Sequence, residues 1–426
     1  MPSPTPPSGS RVRRAPDRRL LAVGRLAGAA AGAWVAGRMK ESAAGTGNGS
    51  LAGDVPPMID WEQARSLAVN MNRGGALTAP ARAELDARYR DLVARCVPLV
   101  AAYTGDDLPD GPDRTHAFDR VDWINANIDG FRRMFEPLEA LNPLLSGKPG
   151  AAGGAFLGGV NRAVVSGELG LLLGYLGRRV LGQYDLALLG KEPVAAGKLY
   201  FVEPNIRMVE EQLGLPAADF RMWLALHETT HAFEFEAHPW LRLHFNGLLE
   251  RYFGLLRDDA EHLRHAGVKG LGLFVDRVRT ADHGGGSWLA TVMSPEQREL
   301  FNEMQATMCV VEGYSNHVMN AVGKELLPTY ETIARKFELR QRQRTAAEQI
   351  FARLTGLSVK LEQYRLGEAF VNQIAAERGH QTARRVWEGP EFLPTMEEIR
   401  EPQRWLARVD ARDAARGRRL GEGATA

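Results

Sequence analysis

Cysteine is almost missing from this chain: there are two in 426 residues, Cys96 and Cys309. They lie too far apart for a CxxC motif and are too few for a disulfide framework. That excludes the stapled secreted scaffolds and leaves a reducing, cytoplasmic setting as the expectation. A charge excess is missing as well, since 53 lysines and arginines stand against 52 aspartates and glutamates. Nothing in that balance calls for nucleic acid, an anionic membrane or a strongly acidic substrate. Long apolar runs do not occur either. In the stretch 153–182, Glu168 and Arg178 bracket a run far shorter than the ~20 residues that cross a bilayer, and glycines punctuate it. A closely packed buried helix is expected there. There is no P-loop, no dinucleotide fingerprint and no repeat of fixed period, and Gly284-Gly285-Gly286 precedes no strand-to-helix turn that would cradle phosphate.

What the chain does have is 44% hydrophobic residues, enough for a large core. The folded part is expected over residues 55–410. Residues 1–54 are read as a mobile arm with a small-residue helix and a linker: an arginine-rich segment around LLAVGRLAGAAAGAWVAG, then a Ser/Gly/Ala-rich stretch. Arg25 interrupts the small-residue run, so an intramolecular helix or mobile arm is the reading, with membrane association as the alternative. No A-x-A cleavage site follows it, which argues against a signal peptide. Residues 411–426, rich in Arg, Gly and Ala, are expected to be a disordered tail. Acids are interspersed through RKFELRQRQR and through the arginines from Arg404 to Arg419, and no aromatic stacking pattern accompanies either. They read as solvated helix faces and not as a nucleic-acid surface.

Within the folded part the dominant period is helical. DWEQARSLAVNMN, ARAELDARYRDLVARCVPLVAAY and FDRVDWINANIDGFRRMFEPLEAL all place apolar residues three and four apart. QYDLALL and KLYFVEP are short β-prone runs separated by a Gly/Pro-containing loop, and they predict a hairpin. Ser294-Pro295-Glu296-Gln297 is a capping box opening a long helix expected to close at Gly323, and Thr395 with Glu398 repeats the device. The fold class expected is mainly α, an α+β arrangement of helices with one small β-hairpin.

The chemistry concentrates in FRMWLALHETTHAFEFEAHPWLRLHF. His227-Glu228-Thr229-Thr230-His231 is an HExxH sequence. Positions four apart on a helix share a face, so two imidazoles can hold one Zn²⁺ while the glutamate beside the first acts as general base toward a water at the ion. Phe220, Trp223, Leu224, His227 and His231 form one inward stripe, and buried neutral histidines need partners. A third ligand is required. His238 is near in sequence but on a straight helix lies about 10 Å along the axis beyond His231. Metzincins bend the chain with glycine at this point, whereas Phe233 and Glu234 stand here. In MCVVEGYSNHVMNAVG the apolar stripe of the capped helix passes through Glu312, a carboxylate on an inward face that wants a cation. Zinc satisfies it; an ion pair with a buried arginine is the alternative.

Glu312-Gly313-Tyr314-Ser315 resembles the signature on the glutamate helix of gluzincin peptidases, though the gap of about 80 residues from HExxH is not that of the aminopeptidases. More broadly, residues from about 60 to 410 resemble the zincin-like metallopeptidase family of actinobacteria and relatives, a domain long without assigned function. The matching pieces are LGQYDLALL, LYFVEPNI, DFRMWLALHETTHAFEFEAHPWLR, VVEGYSNHVMNAVG, KLEQYRLGEAFV and LPTMEEIREPQRWLARV. The resemblance implies a zincin-like helical domain with an HExxH helix and a glutamate helix, His227 and His231 as zinc ligands, Glu228 as catalytic acid/base and Glu312 as third ligand. It also implies, for some members, an association with biosynthesis of the deazaflavin coenzyme. Many gluzincins place an aspartate four residues after the ligand glutamate; Asn316 stands there as candidate acceptor for a ligand's outer nitrogen. His317 and Tyr314 are candidates for a substrate oxyanion, with packing roles as the alternative. The expected activity is hydrolysis of a peptide or protein substrate; the competing expectation is a zinc-stabilised structural or partner-binding protein.

Overall fold

A computed structural model describes residues 57–108, 114–139, 152–185, 197–281, 293–342 and 360–423. The chain divides into two compact units, Met1–Asp54 and Val55–Ala426. All described residues belong to the second, so the N-terminal arm lies outside them.

Helix α1 (Trp61–Met71) starts where the Asp60 side chain accepts the Gln63 N–H. Helix α2 (Ala79–Thr104) begins at a Thr78 cap and ends at Gly105, in the left-handed region at φ 73°. Strand β1 (Thr115–Phe118), α3 (Arg120–Glu139) and the glycine-punctuated α4 (Ala152–Gly177) follow. Two glycines of α4 serve close packing: a Cβ at Gly170 would stand 2.7 Å from the Ala64 carbonyl, and one at Gly174 2.8 Å from Met71 Sδ. Strand β2 (Gly182–Asp185) and strand β3 (Lys198–Val202) pair antiparallel, Gly182 opposite Phe201 and Tyr184 opposite Leu199. This is the pairing that a hairpin requires. The hairpin is not alone, because β1 pairs parallel with β3, Thr115 opposite Leu199. The order is β1-β3-β2, a mixed three-stranded sheet with β2 at one edge.

Beyond the sheet the chain is helical: α5 (Glu203–Leu213), α6 (Ala217–Glu236), α7 (Pro239–Ala281), α8 (Pro295–Leu326), α9 (Tyr330–Arg342), α10 (Lys360–Arg378), α11 (His380–Arg384), α12 (Met396–Arg400) and α13 (Pro402–Gly423). The architecture is mainly α with a small sheet. Both capping boxes form, at Ser294/Gln297 and at Thr395/Glu398. Helix α8 does not close at Gly323 but runs on to Leu326. Gly323 is instead where the ring of Tyr330 packs, and a Cβ there would collide with it. Helix α13 likewise extends to Gly423, into the stretch expected to be a disordered tail. Arg385–Asp413 and Arg412–Glu391 ion pairs tie its middle to the preceding turns. No helix among the described residues is long and apolar enough to cross a membrane.

Helix α6 lies inside the main core, where Phe220, Leu224, Leu226 and Phe233 pack with Val310, Met319, Phe370 and Trp405. A buried ion network fixes its rotation. Arg221 holds both oxygens of Glu203, at 2.7 and 2.9 Å, and the Tyr89 hydroxyl donates to the same carboxylate at 2.7 Å. Burial would raise the Glu203 carboxyl, but Arg221 and Tyr89 outweigh it and hold the group below its ordinary range. Three helices, α2, α5 and α6, are thereby pinned at one point.

Candidate metal centre

Fixing α6 determines which way its two motif histidines point. One turn apart, His227 and His231 bring their Nε2 atoms to 3.3 Å, with the rings edge to face. From α8, Glu312 presents Oε2 at 4.0 Å from His231 Nε2. One ligand atom from each of the three residues lies within 4.8 Å of the others. Two nitrogens each about 2.0–2.1 Å from a tetrahedral zinc stand about 3.3 Å apart, so the histidine pair is already spaced for such an ion. The Glu312 side chain keeps 23% exposure, which leaves the centre open on that side.

The electrostatics fit a cation equally well. His227 is pushed well below the ordinary histidine range, by burial first and by His231 second, and so offers a neutral ligand. Burial would lower His231 too, but Glu234, Glu312 and Glu228 overcome it and raise the group to about 9. Burial lifts both Glu228 and Glu234 to about 7. Three carboxylates crowd two imidazoles in a buried space, a surplus of negative charge that a divalent ion would offset.

Glu228, 5% exposed, leans against strand β2. The Tyr184 backbone N–H donates to its carboxylate, and a Cβ at Gly182 would collide with Oε1 and come within 2.7 Å of Cγ. The strand is held in place from the far end of α6. There the Glu236 carboxylate accepts from the Tyr184 hydroxyl at 2.9 Å, from the Gly197 N–H at 3.2 Å and from Arg114 at 2.9 Å. Trp223 stacks at 6.4 Å on His227, with Phe337 of α9 against it.

The other sequence candidates fall elsewhere. His231 Nδ1 meets Glu234 Oε2 at 2.8 Å and Ser315 Oγ at 3.0 Å, and His227 Nδ1 meets Met319 Sδ at 3.0 Å. Asn316 takes neither place. His317 instead meets the Tyr103 hydroxyl at 2.8 Å and Asn372 Oδ1 at 2.6 Å. Tyr314, 1% exposed, sets its ring edge-on against Trp387. His238 stacks on Trp387 and faces Asp106, at 3.6 Å, at the junction of α6 and α7. Glu234, Ser315 and Gly182 were not singled out from the sequence. Only the spacing of Glu234, three after His231, carried a signal, because i and i+3 share a helix face.

Residues 59–406 match the model of a family described as zincin-like metallopeptidase. The chain belongs to this family. A crystal structure from Chloroflexus aurantiacus, provisionally described as a hydrolase with a novel fold, is 44% identical; the match covers 83% of this chain and 99% of that one, with a TM-score of 0.61. No curated protein matches the chain. The matched span contains helices α6 and α8.

Proposed function

We propose that this zincin-like chain is a zinc-dependent hydrolase acting on peptide bonds, with His227, His231 and Glu312 holding the ion and Glu228 as general base and acid. The observation that carries the reading is the meeting of those three donors within 4.8 Å, from two separate helices, beside a buried glutamate. When bound, zinc supplies a Lewis acid that polarises a carbonyl and makes water a better nucleophile. The chain's own contribution is positional. Helix α6 presents the two Nε2 atoms, and α8 brings in Glu312. The Glu228 carboxyl, 5% exposed and next in sequence to His227, is placed to take a proton from the attacking water and give it to the leaving amine. Its contact with the Tyr184 N–H fixes where that proton is handled.

Peptide bonds are favoured over other acyl substrates by the neighbouring strand. Among the described residues β2 is an edge of the sheet, and its main-chain groups other than the Tyr184 N–H that Glu228 holds can pair with an extended peptide. Glu228 stands beside that edge. The test is zinc analysis of the purified chain with cleavage of a broad peptide library, alongside Glu228→Gln. Zinc retained and cleavage lost in the variant is the expected result. Wild-type protein that holds one zinc yet cleaves nothing in the library would favour a zinc-stabilised binding protein instead.

A further inference from the structure

Glu234 is the buried carboxylate that the scheme above does not use. It is 2% exposed, and the partners its carboxylate meets among the described residues are His231 Nδ1 at 2.8 Å and the Ser315 hydroxyl at 3.0 Å, with no arginine or lysine between them. A desolvated carboxylate whose neighbours are one imidazole and one hydroxyl is costly, and a helix face that needed only packing would be served better by an apolar residue. Ser315 is fully buried on α8, three residues after Glu312 and on the same face. Its hydroxyl donates to Glu234 Oε1 and lies 3.0 Å from His231 Nδ1. Imidazole, carboxylate and hydroxyl close a triangle that spans both helices.

An imidazole ligates through Nε2 when its proton resides on Nδ1, and an acceptor at Nδ1 selects that tautomer and stops the ring from turning. His231 has such an acceptor in Glu234. His227 does not have its equal, since its Nδ1 faces the thioether of Met319, a weak acceptor. The two motif histidines are therefore supported unequally.

Building on the zinc reading above, we propose that Glu234 is the positioning residue of the metal centre and that Ser315 is its coupling to the glutamate helix. Glu234 holds His231 in the ligating tautomer and orientation. Ser315, bonded to the same carboxylate, fixes the register of α8 against α6 so that Glu312 arrives at the point to which His231 Nε2 is directed.

The test measures zinc affinity on the full chain, stripped with chelator and titrated against a chromophoric competitor. Glu234→Gln, Ser315→Ala and the double variant are compared, each also followed by circular dichroism in chelator. Glu234→Gln is expected to weaken zinc binding by about 10- to 100-fold. Ser315→Ala should cause a smaller loss, and the double variant should be little worse than Glu234→Gln, because Ser315 acts through the Glu234 carboxylate. In chelator all three should keep wild-type helical circular dichroism at the titration temperature, so that the loss of affinity is read on a folded chain. The proposal is overturned if Glu234→Gln binds zinc as wild type does, or if the variant has lost its helical signal in chelator at the titration temperature, so that unfolding accounts for the loss of affinity. Additive losses in the double variant would overturn the role given to Ser315. Wild-type protein that binds no zinc at all would overturn the zinc reading itself, a result distinct from either.

Discussion

Two residues show how much of this centre rests on what lies beside the ligands. Gly182 leaves room on β2 for the Glu228 carboxylate, and the atoms a Cβ would meet there are Oε1, Cδ and Cγ of that side chain and not backbone. Gly182→Ala should therefore fold and bind zinc normally while pushing Glu228 aside. A displacement of about 1 Å at a catalytic group costs on the order of 10²-fold in rate, and a loss of that size in peptide cleavage with unchanged zinc stoichiometry is the expected result. Normal cleavage would show that Glu228 works from another position. Glu203 is the second case. Its folded carboxyl is held below the ordinary value of 4.5 by Arg221 and Tyr89 against the pull of burial. A depressed folded value stabilises above the unfolded one, so this contribution is complete above about 4.5 and disappears as the pH falls through the lower folded value. Glu203→Gln should lose about 1–3 kcal/mol at neutral pH, because Arg221 loses its two-pronged partner and keeps only the Glu210 carboxylate, at 2.8 Å. The gap between variant and wild type should narrow on acidification below 4.5, as chemical denaturation across that range would report; a constant gap would contradict the ion-pair account.

At the scale of elements, the glutamate helix is positioned by glycine against glycine. A Cβ at Gly367 of α10 would run into the Cys309 carbonyl, and one at Gly313 of α8 would meet the Gly367 backbone. Here the obstacle is backbone, so the helices themselves must part. Gly367→Ala is expected to destabilise by about 1–3 kcal/mol or more and, since Gly313 adjoins Glu312, to weaken zinc binding as well. Thermal melting with and without zinc measures both, and an unchanged protein would mean the two helices are free to slide. This contact was not legible in the chain, because EGYS reads as a motif about its glutamate and says nothing of what the glycine touches. HExxH, by contrast, is a purely local spacing, as are the capping boxes at Ser294 and Thr395, and these were readable. Strand β1 was not: four residues, Thr115–Phe118, have no room to show alternation, and their partner is Leu199–Val202. The extension of α13 also depends on ion pairs made across the chain, which composition alone presented as a tail. In the sequence Glu234 reads as a break in the metzincin pattern, which hides its place one turn from His231.

For the whole molecule the question is whether the ion holds the fold or uses it. Helix α6 packs against α2, α5, α7, α8, α9 and two strands, and its rotation is fixed by Arg221 and Glu203 at the end away from HExxH. The two ligand-bearing helices also meet through apolar core, with Leu226 and Phe233 among the same buried cluster as Val310 and Met319. The scaffold is thus assembled by contacts that owe nothing to zinc, unlike a small domain whose ligands are its core. Chelation should leave the helical circular dichroism and cooperative melting in place. It should remove only the linkage stabilisation, which reaches about 4 kcal/mol when free zinc is about 1,000 times the dissociation constant. The melting temperature should climb with the logarithm of free zinc in wild type and respond far less in Glu312→Ala, where one ligand is gone. Loss of helical signal on chelation would reverse the conclusion, making the ion a structural element, and would move the weight of evidence from a hydrolase toward a zinc-stabilised binding protein.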